Sequence, residues 1–206
     1  MIAVTDYGAS NVESVLRGLR SVGADAALTS DPAVVRRAER VVVPGVGHFG
    51  FAMRALSESG LGDAVRERAA AGRPVLGICL GLQLFLEESE EAPGVAGLGL
   101  LAGRVVRFRT SLPVPHVGWA QVVLTGVGRD QAMLAAAFPA AASFFYHVHS
   151  YHPDGVDRGS SLGEADYDGP FPTIVGSRNV IGVQFHPEKS QTAGLALLRA
   201  FAHWTP

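Results

Sequence analysis

The sequence predicts an α/β fold: an open, mostly parallel central sheet flanked by helices, with an antiparallel or mixed extension. Three observations carry this. The runs Val41-Val42-Val43 and Val75, Leu76, Ile78 are apolar throughout, as in strands covered on both faces. Up to Glu91, such runs alternate with segments of helical period in the order βαβαβα, which argues for a parallel sheet. Past Glu91, Gly and Pro rise and short strand signals follow closely, which suits antiparallel pairing.

Taken in order, Ile2–Val4 reads as a short strand turned by Asp6-Tyr7-Gly8. Ser10-Asn11-Val12-Glu13 has capping-box spacing, followed by Val12, Val15, Leu16 and Leu19 at helical intervals. Gly23 ends that helix. Ala26–Thr29 is a second strand, and Asp31-Pro32 opens a short helix or turn. Val41–Val43 is a third strand, breaking into Pro44-Gly45-Val46-Gly47. Phe51–Leu56 and Leu61–Ala71 read as helical, with Gly72 as the stop. The run Pro74–Ile78 is a fourth strand that reaches Cys79, and Leu80, Leu82, Leu84, Phe85 and Leu86 continue as a helix. Later strands are expected at 105–108, 121–124, 143–148, 173–175 and 180–185. Ala193, Ala196, Leu197, Ala200, Phe201 and Trp204 form a final amphipathic helix.

With 206 residues and 48% hydrophobic composition, the chain has enough apolar material for one domain spanning 1–206. The net charge of −2 gives no nucleic-acid or membrane surface. The longest apolar stretch, Val95–Ala102, is too short and glycine-rich to cross a bilayer, and no signal peptide is expected from the few apolar residues before Asp6. One cysteine precludes an internal disulfide and points to the cytoplasm.

Cys79 falls at a strand-to-helix turn with Gly77 and Gly81 on either side. That is the layout of a nucleophile elbow with sulfur in place of the hydroxyl. The helix N-terminus favours a thiolate. A lone cysteine is also often a small buried hydrophobe, so the elbow alone leaves both readings open. His186 and Glu188 decide between them. In an extended segment residues two apart point the same way, so both can face one site. Glu188 then orients the imidazole that exchanges a proton with Cys79. The N–H of Leu80 and a peptide turned inward at Val46 or Gly47 are candidate oxyanion donors. His147 and His149 alternate on one strand with no carboxylate or second cysteine beside them, so no metal or other cofactor is expected.

These residues carry a resemblance. Asp6-Tyr-Gly8 with Asn11, Pro44–Gly50, Gly77–Gln83, Pro115–Trp119, His149-Ser-Tyr151 and Gly182–Ser190 together resemble class I, triad-type glutamine amidotransferases, which share a flavodoxin-like fold. Pro44–Gly50 and Pro115–Trp119 are most similar to the glutaminase subunits of imidazole glycerol phosphate synthases. Ala9-Ser10, His147 and His152 depart from that pattern, in which Met-Gly, an aromatic and a tyrosine are more usual. The resemblance implies that Cys79 attacks glutamine, that His186 protonates the departing ammonia and that Glu188 orients His186. It also implies glutamine contacts from Gly47, Gln83, Ser150 and Tyr151. A (β/α)8-barrel cyclase partner follows too, forming a heterodimer with Asn11, Tyr146 and Lys189 on or near the interface. That partner uses the ammonia to make imidazole glycerol phosphate and an aminoimidazole-carboxamide ribotide in histidine biosynthesis. Two other classes compete. One is the glutaminase of a different synthase, such as anthranilate or vitamin B6 synthesis. The other is a non-catalytic regulator on the same fold.

Overall fold

The computed structural model describes residues 1–8 and 11–206. Its centre is a nine-stranded sheet in the order β2-β1-β3-β4-β12-β11-β10-β7-β8. The first five of these, β2 (Ala26–Thr29), β1 (Ile2–Thr5), β3 (Arg40–Gly45), β4 (Val75–Cys79) and β12 (Val180–Val183), run parallel. Next come β11 (Pro170–Ser177), β10 (Ser161–Asp166), β7 (His116–Leu124) and β8 (Ala142–His149), each antiparallel to its neighbour. The expected parallel sheet with an antiparallel extension is therefore present. A separate three-stranded sheet, β5 (Glu88–Ser89), β6 (Arg104–Arg107) and β9 (Tyr151–Asp154), was not expected.

Alternation of side chains along the central strands divides the core in two. Val42, Leu76, Ile78, Ile181 and Val183 pack on one face with α1 (Val12–Ser21), α7 (Ala132–Ala137) and α8 (Gln191–His203). Val41, Val43 and Val75 face the other way, onto α2 (Pro32–Arg37), α3 (Phe49–Glu58), α4 (Leu61–Ala70) and α5 (Leu80–Phe85). A further short helix, α6 (Gly126–Asp130), completes the set. Among the described residues no helix is long and apolar enough to cross a membrane.

Several boundaries differ from expectation for local reasons. Ser10 of the expected capping box lies outside the described residues, as does Ala9. The N-cap of α1 is Asn11 itself, at φ 73°, with no side-chain capping bond. Its amide is used elsewhere, on Glu188. The third strand runs on through Pro44 to Gly45, since its last residues still pair with Ile78 and Cys79. Helix α3 begins at Phe49, two residues early, because His48 caps it by accepting the Gly50 N–H. Strand β12 stops at Val183. Past it, Pro187–Lys189 form one turn of 3-10 helix rather than the expected extended segment.

Candidate active site

Strands β3, β4 and β12 lie side by side and parallel, so their carboxyl ends meet at one edge, where open α/β sheets place their sites. The Pro44–Gly47 turn leaves β3, Cys79 ends β4, and His186 follows β12. Register aligns Gly45 with Cys79 and Val183 with Ile78.

Cys79 sits at φ 55° and ψ −107°, a conformation L-residues rarely adopt. Holding a non-glycine residue there costs on the order of 1–3 kcal/mol, which the surroundings must enforce. They do so by close packing. A Cβ on Gly81 would lie 1.8 Å from the Val43 carbonyl oxygen, and one on Gly77 would lie 2.7 Å from the backbone of Gly81. Only glycine lets α5 start against β3 this closely. The sharp elbow expected from the sequence is thus built as read.

His186 and Glu188 come together behind the sulfur. His186 Nδ1 is 2.7 Å from Glu188 Oε1, with the two side chains 1% and 0% exposed. The pairing is as expected, but its reason is not. The 3-10 turn folds Glu188 back onto the ring, whereas an extended i, i+2 geometry had been expected. Asn11 Nδ2 donates to the same Glu188 oxygen at 2.6 Å. Asn11 was expected at a partner interface; what the structure shows is that it fixes the glutamate from the N-cap of α1. The other ring nitrogen, His186 Nε2, is buried without a conventional partner, which leaves it for the Cys79 sulfur. Burial alone would lower the His186 pKa. Hydrogen bonding and attraction to a Cys79 thiolate, then to Glu188, outweigh it and push it up to about 10.

A cavity of about 240 Å³ opens beside the sulfur, lined by Val46, Gly47, Cys79, Leu80, Gln83, Ser150 and Tyr151, together with Glu91, Pro115, Val148 and His149. It is smaller than the ~300–1,000 Å³ typical of drug-sized ligands and suits one amino acid. Every residue expected to bind glutamine or form an oxyanion hole lines it. Gly47 has φ 121°, a region open mainly to glycine. Leu80 opens α5, so its N–H lacks an intrahelical partner.

Three further residues escaped the sequence reading. Glu91 lines the cavity while accepting the Phe49 N–H at 2.6 Å, a contact across 42 residues that no local signal announces. Gln184, fully buried, directs its amide Nε2 at the Cys79 sulfur, 3.7 Å away. Tyr7 donates its hydroxyl to the Pro44 carbonyl at 2.7 Å and steadies the turn below Gly47. Its pKa is raised well above the usual 10, first by burial and then by the Cys79 charge.

Tyr146 and Lys189, expected near a partner, lie against each other, with the ammonium 5.8 Å from the ring centroid. His116, His147 and His149 gather their ring nitrogens within 4.8 Å, a closeness the sequence did not indicate for His116. The His116 and His147 rings are stacked at 16°, with centroids 5.0 Å apart. A ligand lone pair lies in its ring plane, so two stacked rings do not aim at one ion.

A cysteine on a strained elbow, a buried His–Glu pair behind it and backbone amides beside an amino-acid-sized cavity define a thiol-dependent acyl-transfer class of protein. The family model for glutamine amidotransferase class-I matches residues 3–204. A crystal structure of a glutamine amidotransferase has the same fold, with TM-score 0.76 at 20% identity, covering 98% of this chain and 97% of that one.

The finer kinship comes from curated relatives. The chain is 46% identical to imidazole glycerol phosphate synthase subunit HisH of Symbiobacterium thermophilum, over 98% of this chain and 92% of the relative. Its identity to the HisH subunit of Bacillus subtilis is 40%, over 98% and 95%. The chain therefore belongs to the glutamine amidotransferase class-I family and, within it, to the HisH subunits of imidazole glycerol phosphate synthase.

Proposed function

We propose that this chain hydrolyses glutamine and hands the ammonia to a cyclase subunit in histidine biosynthesis. The observation that carries the reading is Cys79, strained and backed by the His186–Glu188 pair at the mouth of an amino-acid-sized cavity. Cys79 Sγ attacks the side-chain carbonyl carbon of glutamine. The developing oxyanion meets the N–H of Leu80 and of the Val46–Gly47 turn. The C–N bond breaks, and ammonia leaves with the proton from His186. Water, deprotonated by His186, then cleaves the thioester and releases glutamate. Glu188 holds the ring through Nδ1 and favours its charged form.

At the amino-acid end, Glu91 offers a carboxylate to the substrate ammonium. Gln83 keeps its carbonyl oxygen for the same end, because its amide nitrogen is engaged with Tyr151 O and Gln184. Gly47, Ser150 and Tyr151 supply backbone contacts.

The partner reading is a (β/α)8-barrel cyclase in a heterodimer. Asn11, Tyr146 and Lys189 lie on or beside its contact, and ammonia passes between the subunits without meeting water. The family membership supports this, as does an exposed apolar face next to Tyr146. On this reading residues 1–206 work as one amidotransferase domain. The buried free thiol suits the reducing cytoplasm. The test is a co-purification asking which synthase subunit the chain retains, with glutaminase activity measured alone and in the complex. A barrel cyclase that raises the activity is the expected result. Full glutaminase activity in the isolated chain, or capture of a different synthase, would overturn the reading.

A further inference from the structure

The buried polar groups around the cavity form one hydrogen-bond chain whose direction is fixed. The Tyr151 carbonyl is its anchor, because a carbonyl only accepts. His149 Nδ1 lies 2.9 Å from that oxygen and must therefore carry a proton. Burial, with the neighbouring imidazoles, holds the His149 pKa well below the usual value, so the ring is neutral and its Nε2 is an acceptor. His147 Nδ1, 3.0 Å from it, is then the donor. On the other side Gln83 Nε2 gives one hydrogen to Tyr151 O and the other to Gln184 Oε1, each at 3.2 Å. With its oxygen committed, Gln184 turns its own NH₂ to Cys79 Sγ.

We infer that Gln184 holds the Cys79 sulfur as a thiolate by donating an amide N–H to it, and that the Tyr151 carbonyl sets that polarity through Gln83. A thiolate accepts and does not donate, so a chain that ends on an N–H matches the ionised sulfur better than the thiol. Gln184 is 0% exposed, so no water competes for its amide. It touches the reacting atom and is catalytic in that strict sense. Gln83 and Tyr151 position it. The inference rests on Cys79 being the nucleophile, and it adds a donor that neither the His–Glu pair nor the oxyanion turn supplies.

The test compares the 206-residue chain with Gln184→Met and Gln184→Glu, using Cys79→Ala as the control for the nucleophile. The readouts are the rate of Cys79 alkylation by iodoacetamide at neutral pH, the ultraviolet thiolate absorbance across a pH series and, for the Cys79→Ala control, glutamine hydrolysis. Gln184→Met removes the donor and should slow alkylation about tenfold, moving the onset of thiolate absorbance to higher pH. Gln184→Glu keeps the shape but sets a carboxylate against the sulfur, so it should slow alkylation more than Gln184→Met. A purely structural role predicts the opposite ranking, because Glu is the closer match in shape. Unchanged alkylation in Gln184→Met with Cys79→Ala inactive overturns this inference and leaves the glutaminase reading intact. An active Cys79→Ala overturns both. Should the variants fail to fold, the wild type answers by NMR. The side-chain amide protons of Gln184, in protein labelled with ¹⁵N-glutamine, must shift when Cys79 ionises, and no shift counts against the proposal.

Discussion

The two halves of the central sheet differ in what their faces do. In the parallel half, β1, β3, β4 and β12 are buried on both faces, and chemistry is confined to their carboxyl ends. In the antiparallel half, β7 alternates. His116, Val122 and Leu124 point inward, while Val117, Trp119 and Val123 are 57%, 48% and 41% exposed. Phe144 on β8 adds a fourth large apolar side chain to the open face, at 55%. Monomeric proteins rarely leave so much apolar surface together. One half is built to hold reacting groups still, and the other presents a surface. Strand β8 serves both, since His147 and His149 face in while Phe144 and Tyr146 face out.

The sharpest break between the halves is Cys79→Ala. Members of a catalytic unit are not additive, so losing the nucleophile should cost about 10³-fold or more in glutamine hydrolysis. Synthesis driven by added ammonia in the complex should be unchanged. Paired assays on the complex with glutamine and with ammonium check this, and a collapse of both activities would deny that the halves divide the labour. Next in size is Glu188→Gln. It keeps the hydrogen bond to His186 Nδ1 available but removes the charge behind the ring, and should lower kcat by about 10²-fold or more with little change in KM.

Legibility in the sequence follows the same division. The parallel half was readable because its strands are short apolar runs closed by Gly, Pro or Asp, and because the nucleophile needs Gly77 and Gly81 at fixed offsets. His186 and Glu188 were readable from spacing, although the 3-10 turn that joins them was not. In the other half, β10 reads Ser-Leu-Gly-Glu-Ala-Asp and β9 carries Pro153. Neither has strand propensity of its own, and both are made strands by pairing, β10 with an irregular register against β11. Helices α6 and α7 were hidden by two glycines in one and an unpatterned alanine run in the other. The Asn11 bond to Glu188 and the places of Glu91 and Gln184 in the site were missed for one reason. Their contacts cross 177, 42 and 105 residues, and no local pattern encodes such distances.

Protonation separates the halves as well, with opposite signs. The His186 pKa is raised, to about 10. Its stabilisation is therefore complete below the unfolded value of about 6.5 and is lost as pH climbs from there through 10. His147 is lowered to about 3, chiefly by burial. The unfolded chain binds that proton first, so stability falls as pH drops below about 6.5 towards 3. Urea unfolding from pH 4 to 10 should give His186→Gln a flatter alkaline limb and His147→Phe a flatter acid limb. Parallel curves for wild type and either variant would remove that histidine from the account.

The smallest effect on the chain itself is expected on the open face, where it also matters most for assembly. Trp119 is half exposed and meets Tyr146 edge-on at 6.3 Å, beside Lys189. Trp119→Ala removes little packing, so unfolding should move by no more than about 0.5 kcal/mol. Aromatic residues at the centre of a contact dominate its energy, so the same change should weaken cyclase binding by about 2 kcal/mol, near thirtyfold in Kd. Glutamine hydrolysis by the isolated chain should be unaltered, because the side chain points away from the cavity. Titration calorimetry with the cyclase, set beside thermal unfolding of the free chain, reads both quantities. A Trp119→Ala protein that binds the cyclase normally would mean that the exposed face of β7 is not the docking surface, and the contrast between the two halves would then lose its outward-facing side.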